Sequence, residues 1–387
     1  MVTLETADNA LKSFYLDAIS DSLNMKTNPL LAQIERTSAN VVGKDVRKAV
    51  RLGVSGGIGA GTETGDLPSA SASEFTQFVA PLKNLYGTIE ISDKAIRASA
   101  NSEGAFVNLL NDEMESLVKS ASFNFGRMLF GDGTGKLAKV LDVGNNVVEV
   151  EHLRGVVEGM YISFYTSAGV PIAGAQNRRI TAISRGEKTI TFDGASVVGV
   201  VQSGAYVYLN GSKDNEITGL DAIFSAKSIY GVDRNKSVMQ PYMESAVGEI
   251  SENVIQKAID TIEENSGSKV NFIVCSWGVR RALAEYFKQF KTMLPSMTIE
   301  GGFTAMSFNG IPIVADRFCP NGTMYLLNTE DFKIHQLCDW QWLESEDGKI
   351  LKQVPGKPVY TATLVKYAEL LCEKPNGQGV LKDITEA

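Results

Sequence analysis

The sequence predicts an α+β protein with a small inserted β domain, and three observations predict it. Apolar residues recur at helical spacing from about Phe106 to Phe130, enough for a helix on the order of 37 Å long at about 1.5 Å per residue. Short alternating segments separated by glycine-rich turns fill residues 140 to 210, the spacing of a small barrel or sandwich. From Val247 onward, helical and strand periodicities alternate, as in an α/β lobe.

Composition sets the outer limits. A chain of 387 residues can bury a sizeable core and divide into roughly two or three lobes. Its 37 basic and 45 acidic residues give a net charge of −8 with no basic run, which argues against binding nucleic-acid backbones through lysine and arginine. The opening stretch carries Glu5, Asp8 and Asp17 and no continuous apolar run. Neither a secretory signal nor a membrane span is expected there, and the cytosol is the expected site of synthesis. Cys275, Cys319, Cys338 and Cys372 lie far apart without a Cys-x-x-Cys pattern; they read as small core residues, not zinc ligands or a disulfide framework. The two histidines, His152 and His335, sit in strand-like contexts and read as hydrogen-bonded structure.

Taken in order, residues 1–39 combine a short amphipathic segment (Leu11, Phe14, Ala18) with Pro29 and read as an N-terminal arm. Val42, Val46, Val50, Leu52 and Val54 then fall on even positions, with Asp45, Arg47 and Arg51 on odd ones, the period of a strand. Residues 53–73 are too polar and glycine-rich to build a core. Strand pattern resumes at Phe75, and Leu85, Gly87, Ile89 and Ile91 share one face. Residues 40–90 therefore read as an extended two-stranded loop that leaves the body and returns. The long helix lies within 91–139. Asn101 or Ser102 is placed to cap it, Gly131 to end it in left-handed geometry, and its mostly apolar circumference asks for enclosure.

Residues 140–215 form the expected inserted β domain and 216–329 the α/β lobe. In that lobe a helix carries Val247, Ile250, Val254, Ala258 and Ile262, a buried strand runs from Val270 to Cys275, and a second helix carries Val279, Leu283, Tyr286 and Phe290. Asn309-Gly310 and Asn321-Gly322 each sit between apolar strands, so residues 303–328 are expected to form a meander. Long strands between Glu330 and Glu373 open the last unit, 330–387.

Two literal motifs carry chemistry elsewhere. Gly126 and Gly131 have phosphate-loop spacing, but Asp132 stands where a lysine is required, and Gly135-Lys136 is followed by Leu137 instead of a hydroxyl residue. The cluster reads as a helix stop. Gly53-Val54-Ser55-Gly56-Gly57 fits the nucleophile elbow, but an elbow must turn from strand into helix and no helical pattern follows Ser55. No catalytic, cofactor-binding or metal-binding residue is assigned.

Six segments in order resemble the major capsid proteins of tailed bacteriophages, which have the Hong Kong 97-like fold. They are TETGDLP in the glycine-rich loop (Thr62 to Pro68), YGTIEISDKAIRAS (Tyr86 to Ser99), LFGDGTG (Leu129 to Gly135), YGVDRN (Tyr230 to Asn235), NGIPIVADRFCPNGTMYLLN (Asn309 to Asn328) and YTATLVKYAELLCEKPNG (Tyr360 to Gly377). The resemblance implies an N-terminal arm, an extended loop, a spine helix with a peripheral domain, an axial α/β domain and a return to the peripheral domain. It implies a non-enzymatic subunit that self-assembles into hexamers and pentamers of an icosahedral head around double-stranded DNA. Such a subunit is made in the bacterial cytoplasm, resides in the virion and is joined by a portal protein. Nothing here matches the cleaved scaffolding segment that many relatives carry before the arm, so a separate scaffolding protein is expected if one is used, and a decoration protein is a further possible partner. The β-rich stretch resembles the insertions of some relatives. An encapsulin-type nanocompartment shell is the alternative within the fold, disfavoured because encapsulins are usually shorter. A cytosolic serine hydrolase using Ser55 is the alternative from another class. Some relatives join a loop lysine to a neighbour's asparagine; here no lysine or arginine occurs between Arg51 and Lys83, and Lys44, Lys48 and Lys83 lie toward the loop base, so covalent linkage is not expected.

Overall fold

In a computed structural model the described residues are 28–53, 55–66, 68–95, 103–289, 296–298, 304–344, 348 and 350–387. The segment at Leu11, Phe14 and Ala18, the cap positions Asn101 and Ser102, Phe290, and the side chains of Phe106 to Leu110 lie outside them. Residues 28–37 do not project as an arm. Asn28 Oδ1 accepts the Leu31 N–H at 3.1 Å and caps a short helix, α1 (Pro29–Gln33). Leu30, Leu31 and Ile34 are buried, and Glu35–Thr37 adds in parallel to the long strand Phe332–Trp342. Three apolar side chains within five positions draw this segment into the core.

Strands Asp45–Arg51 and Phe75–Pro81 pair antiparallel as a hairpin. Val46, Phe78 and Ala80 point inward while Arg47 and Arg51 are exposed, the alternation seen in the sequence. The base of this hairpin is docked: Val79 N–H donates to Tyr230 O at 3.0 Å, and the Phe78 and Tyr230 rings lie 5.5 Å apart. Only the tip beyond Arg51 and Phe75 leaves the body. Lys83–Ser92, expected inside the loop, pairs instead along Val359–Cys372 in the main sheet, because Leu85, Ile89 and Ile91 need that core.

Helix α2 (Glu103–Met128) crosses this sheet at Gly87. A Cβ there would stand 2.8 Å from Leu117 Cδ1, so only glycine permits the approach. From Glu113 onward, Met114, Val118 and Phe125 are buried, but Glu113, Glu115 and Lys119 are exposed, and burial on all sides begins at Phe125. Among the described side chains of the helix, the expected enclosure is thus met in the last turn and not along the stretch from Glu113 to Asn124. Gly131 also departs from expectation, since the left-handed residues are Gly133 and Gly135. Gly131 N–H closes onto Met128 O at 3.0 Å. Gly219 packs so tightly against this turn that a Cβ on it would lie 2.3 Å from Met128 O and 2.5 Å from Gly131 O.

Six antiparallel strands then close a barrel, in the order Thr189–Phe192, Val147–Val150, Lys136–Val143, Tyr206–Leu209, Tyr161–Tyr165, Arg178–Ser184. Its first strand starts at Lys136, ahead of the segment recognised by alternation. Val140, Val148, Ile162, Phe164, Ile190 and Phe192 belong to a core of its own, with Phe164 and Phe192 ring centroids 5.4 Å apart.

The chain returns through α3 (Leu220–Ser225) to a seven-stranded sheet, ordered Tyr242–Glu244, Gly379–Leu381, Met324–Leu327, Phe272–Cys275, Ile311–Ala315, Thr304–Phe308, Ser296–Thr298. Helices α4 (Glu252–Ser266) and α5 (Trp277–Gln289) pack on one face of it. Asn309-Gly310 makes the expected hairpin, with φ of 49° and 83°. Asn321-Gly322 does not: Phe272–Cys275 lies between Ile311–Ala315 and Met324–Leu327. All four residues of that strand are buried, so it takes a central position and the expected meander is split. Gly379–Leu381 joins this sheet too, so the last residues do not stay with the long strands.

Candidate assembly surface

The hairpin tip is where the sequence placed its nearest enzyme motif. Ser55 Oγ donates to Ser71 O at 2.5 Å across the two sides of the tip, and residues 55–66 contain no helix. A hydroxyl tied to a backbone carbonyl, without an adjacent base, is not an activated nucleophile. The histidines stand elsewhere. His152 lies in the irregular segment after the barrel strand Val147–Val150 and not in a strand; burial, then the nearby Arg154, pushes its pKa down to about 4. His335 is fully buried in Phe332–Trp342, with Nδ1 2.8 Å from Ala39 O.

The glycine cluster is occupied by its own side chains. Gly126 faces Phe318, where a Cβ would lie 2.9 Å from the ring. Asp132 Oδ1 accepts the Thr134 N–H at 2.9 Å. Lys136 Nζ lies 3.6 Å from Asp132 and 5.0 Å from the Tyr206 ring centroid. The amine that would meet a phosphate is held by a carboxylate and a ring, so the cluster builds a junction between α2 and the barrel.

That junction contains a buried ion pair. Arg127, on the last turn of α2, meets Glu216 through both terminal nitrogens, one at 3.0 Å, with side chains 8% and 3% exposed. Gly155, at φ 72°, lets the arginine stem pass; a Cβ there would lie 2.5 Å from Arg127 Cδ. Beside it, buried Glu369 accepts from Thr218 N at 2.6 Å and Leu370 N at 2.9 Å, and burial pushes its carboxyl up to about 7. Lys366, also buried, donates to Asp339 at 2.5 Å and Gln336 at 2.8 Å and lies 5.4 Å from the Phe125 ring centroid. Burial lowers its pKa while Asp339 pulls it back up. Cys275, Cys319 and Cys372 are buried and Cys338 half-buried. Among the described residues no group of cysteine, histidine and carboxylate side chains is arranged to hold a metal, and no helix is long and apolar enough to cross a membrane.

What the subunit leaves open is surface. Ile58 at the tip is 88% exposed and Phe75, at the hairpin shoulder, 61%. Val79 on the same hairpin and Val42, on the short strand Val41–Val42 that pairs with it, are exposed as well. A thin hairpin cannot cover these side chains itself, and apolar area projecting from a body is buried only by another molecule. Two of the three lysines of its base are engaged: Lys48 pairs with Glu373, and Lys83 Nζ donates to Asp214 O at 2.8 Å.

No family profile and no curated protein sequence matches the chain. Solved structures do. The capsid asymmetric unit of cyanophage A-1(L) superposes with a TM-score of 0.58 over 94% of this chain and 94% of that one, at 11% identity. The capsid of an empty GTA particle gives 0.48 over 93% and 91%, at 11% identity. An encapsulin complex from Synechococcus elongatus gives 0.46 over 91% and 85%, at 8% identity. The fold is α+β, the Hong Kong 97-like fold of phage capsids.

Proposed function

We propose that this chain is the major capsid protein of a tailed double-stranded DNA bacteriophage, a non-enzymatic subunit whose copies assemble into hexamers and pentamers of an icosahedral head. The observation that carries this reading is the projecting hairpin with Ile58 and Phe75 outward, on a fold shared end to end with a capsid subunit. Such a surface has use only between neighbours. An acidic chain with a net charge of −8 also suits a container, because a lysine-rich wall would hold packaged DNA fast. The subunit is then made in the bacterial cytoplasm and resides in the virion. Its partners are further copies, a portal protein, and a separate scaffolding or decoration protein where one is used; it encloses DNA without reading sequence. Residues 140–215 are proposed as a semi-independent insertion.

Electron microscopy of the expressed protein tests this. Closed particles of uniform diameter are expected, and removal of residues 56–71 is expected to leave a soluble, folded chain that forms none. A wild-type chain that stays monomeric at high concentration would refute the proposal, and normal particles from the deletion would refute the role given to the hairpin.

A further inference from the structure

Helices α4 and α5 share one apolar layer, with Ile255, Ile262, Leu283 and Phe287 buried together against the seven-stranded sheet. Their outward sides differ in charge. On α4, Glu252, Asp260, Glu263 and Glu264 are exposed, and among the described residues none of them has an ion-pair partner; Lys257 is taken up by Glu244 at 3.0 Å. On α5, Trp277, Arg281 and Lys288 fall along one exposed stripe that also carries Glu285, with the exposed Glu386 beside its start at Gly278. Trp277 is 52% exposed, and the Arg280 guanidinium lies 5.4 Å from its ring centroid.

A layer of two helices leaves each with an outer flank, and on α5 the last residues lie along its edge, Glu386 accepting from Ser276 Oγ and Ala387 O from Arg281 Nε. One copy therefore carries an acidic flank and a basic, aromatic flank, and among the described residues no ion pair joins the two helices. Tryptophan and arginine are the residue types that most often anchor protein contacts. Opposite potentials on separate flanks of one chain suit contact between identical copies, since every copy brings both halves.

We infer that the Trp277–Lys288 flank of one copy docks on the Glu252–Glu264 flank of the next, a head-to-tail contact that closes into a ring. The inference rests on the shell reading above and assigns which charges hold neighbouring copies together.

Charge exchange tests it, with sedimentation velocity measuring the concentration at which rings or shells form. Arg281→Glu with Lys288→Glu is expected to raise that concentration at least about tenfold, because like charges then face each other. Glu263→Lys with Glu264→Lys is expected to do the same, and the four substitutions together to restore assembly. Arg281 Nε also donates to Ala387 O at 2.6 Å, so Lys288→Glu alone is measured as well and should shift assembly in the same direction by less, with an unchanged melting temperature. Reversals that assemble like wild type, a fourfold variant that does not recover, or a discrete two-fold dimer in place of rings would each overturn the inference while leaving the shell reading intact. A wild-type chain that forms no assembly would overturn both.

Discussion

Replacing Arg127 by methionine isolates the junction between α2 and the barrel. Methionine keeps most of the stem that threads past Gly155 but removes the guanidinium, leaving the Glu216 carboxylate 3% exposed and without its counter-charge. Breaking one side of a buried pair costs about 3–5 kcal/mol, most of it the desolvation of the charge left behind. In a chain of 387 residues that lowers the melting temperature by about 4–6 °C, at about 2.1 cal/mol/K of unfolding entropy per residue. Scanning calorimetry at neutral pH reads the shift, and hydrogen exchange over residues 210–218 shows whether the loss begins in the segment that carries Glu216. The double variant Arg127→Met with Glu216→Leu is the control: two apolar side chains replace two charges, and at least half of the loss should return. A single variant melting within about 2 °C of wild type, or a double variant as unstable as the single, would show that the pair does not carry the junction.

Burial raises the Glu369 carboxyl to about 7 from an ordinary 4.5. A folded value above the unfolded one means that the folded state holds the proton more tightly, so this group's contribution is full below pH 4.5 and is lost as pH rises to about 7, on the order of 3 kcal/mol. Glu369→Gln should flatten the stability slope across that window in urea titrations, and an unchanged slope would refute the assignment. Residues 134–212 expressed alone should give dispersed amide signals, because the barrel closes on its own apolar cluster; a random-coil spectrum would contradict this. Mature particles boiled in detergent with reductant should release one band near 41.8 kDa, as no lysine stands at the hairpin tip, whereas a ladder of resistant oligomers would show covalent linkage.

Period and turn chemistry made most elements legible. Alternation located the hairpin strands and five of the six barrel strands, and Asn309-Gly310 located its turn. Long-range choices were less legible. Lys83–Ser92 alternates equally well in a loop or a sheet, and only its partner Val359–Cys372 decides. Phe272–Cys275 separates two strands that the local asparagine-glycine signals would have joined. Gly131 carried a plausible helix-stop role, but the close packing of Gly219, far along the chain, displaced the left-handed conformation to Gly133 and Gly135. The Arg127–Glu216 pair left no local trace, its members being 89 positions apart. Lys366 and Glu369 did leave one: charged residues at buried positions of the otherwise apolar run from Thr361 to Cys372. A charge in such a strand must find a partner or shift its pKa, and both did.

The absence of lysine and arginine between Arg51 and Lys83 has a consequence for protease mapping. Accessibility and cleavability come apart at the hairpin tip: Ile58 is almost wholly open to solvent, yet trypsin has no site there and releases the region as a single peptide from Leu52 to Lys83. A tryptic map would therefore show no cut within this open tip, while elastase, which accepts small residues, meets Ala60, Ala70 and Ala72 in that stretch. Comparing the two enzymes on free and assembled protein separates a tip that is covered by a neighbour from one that merely lacks the cut site.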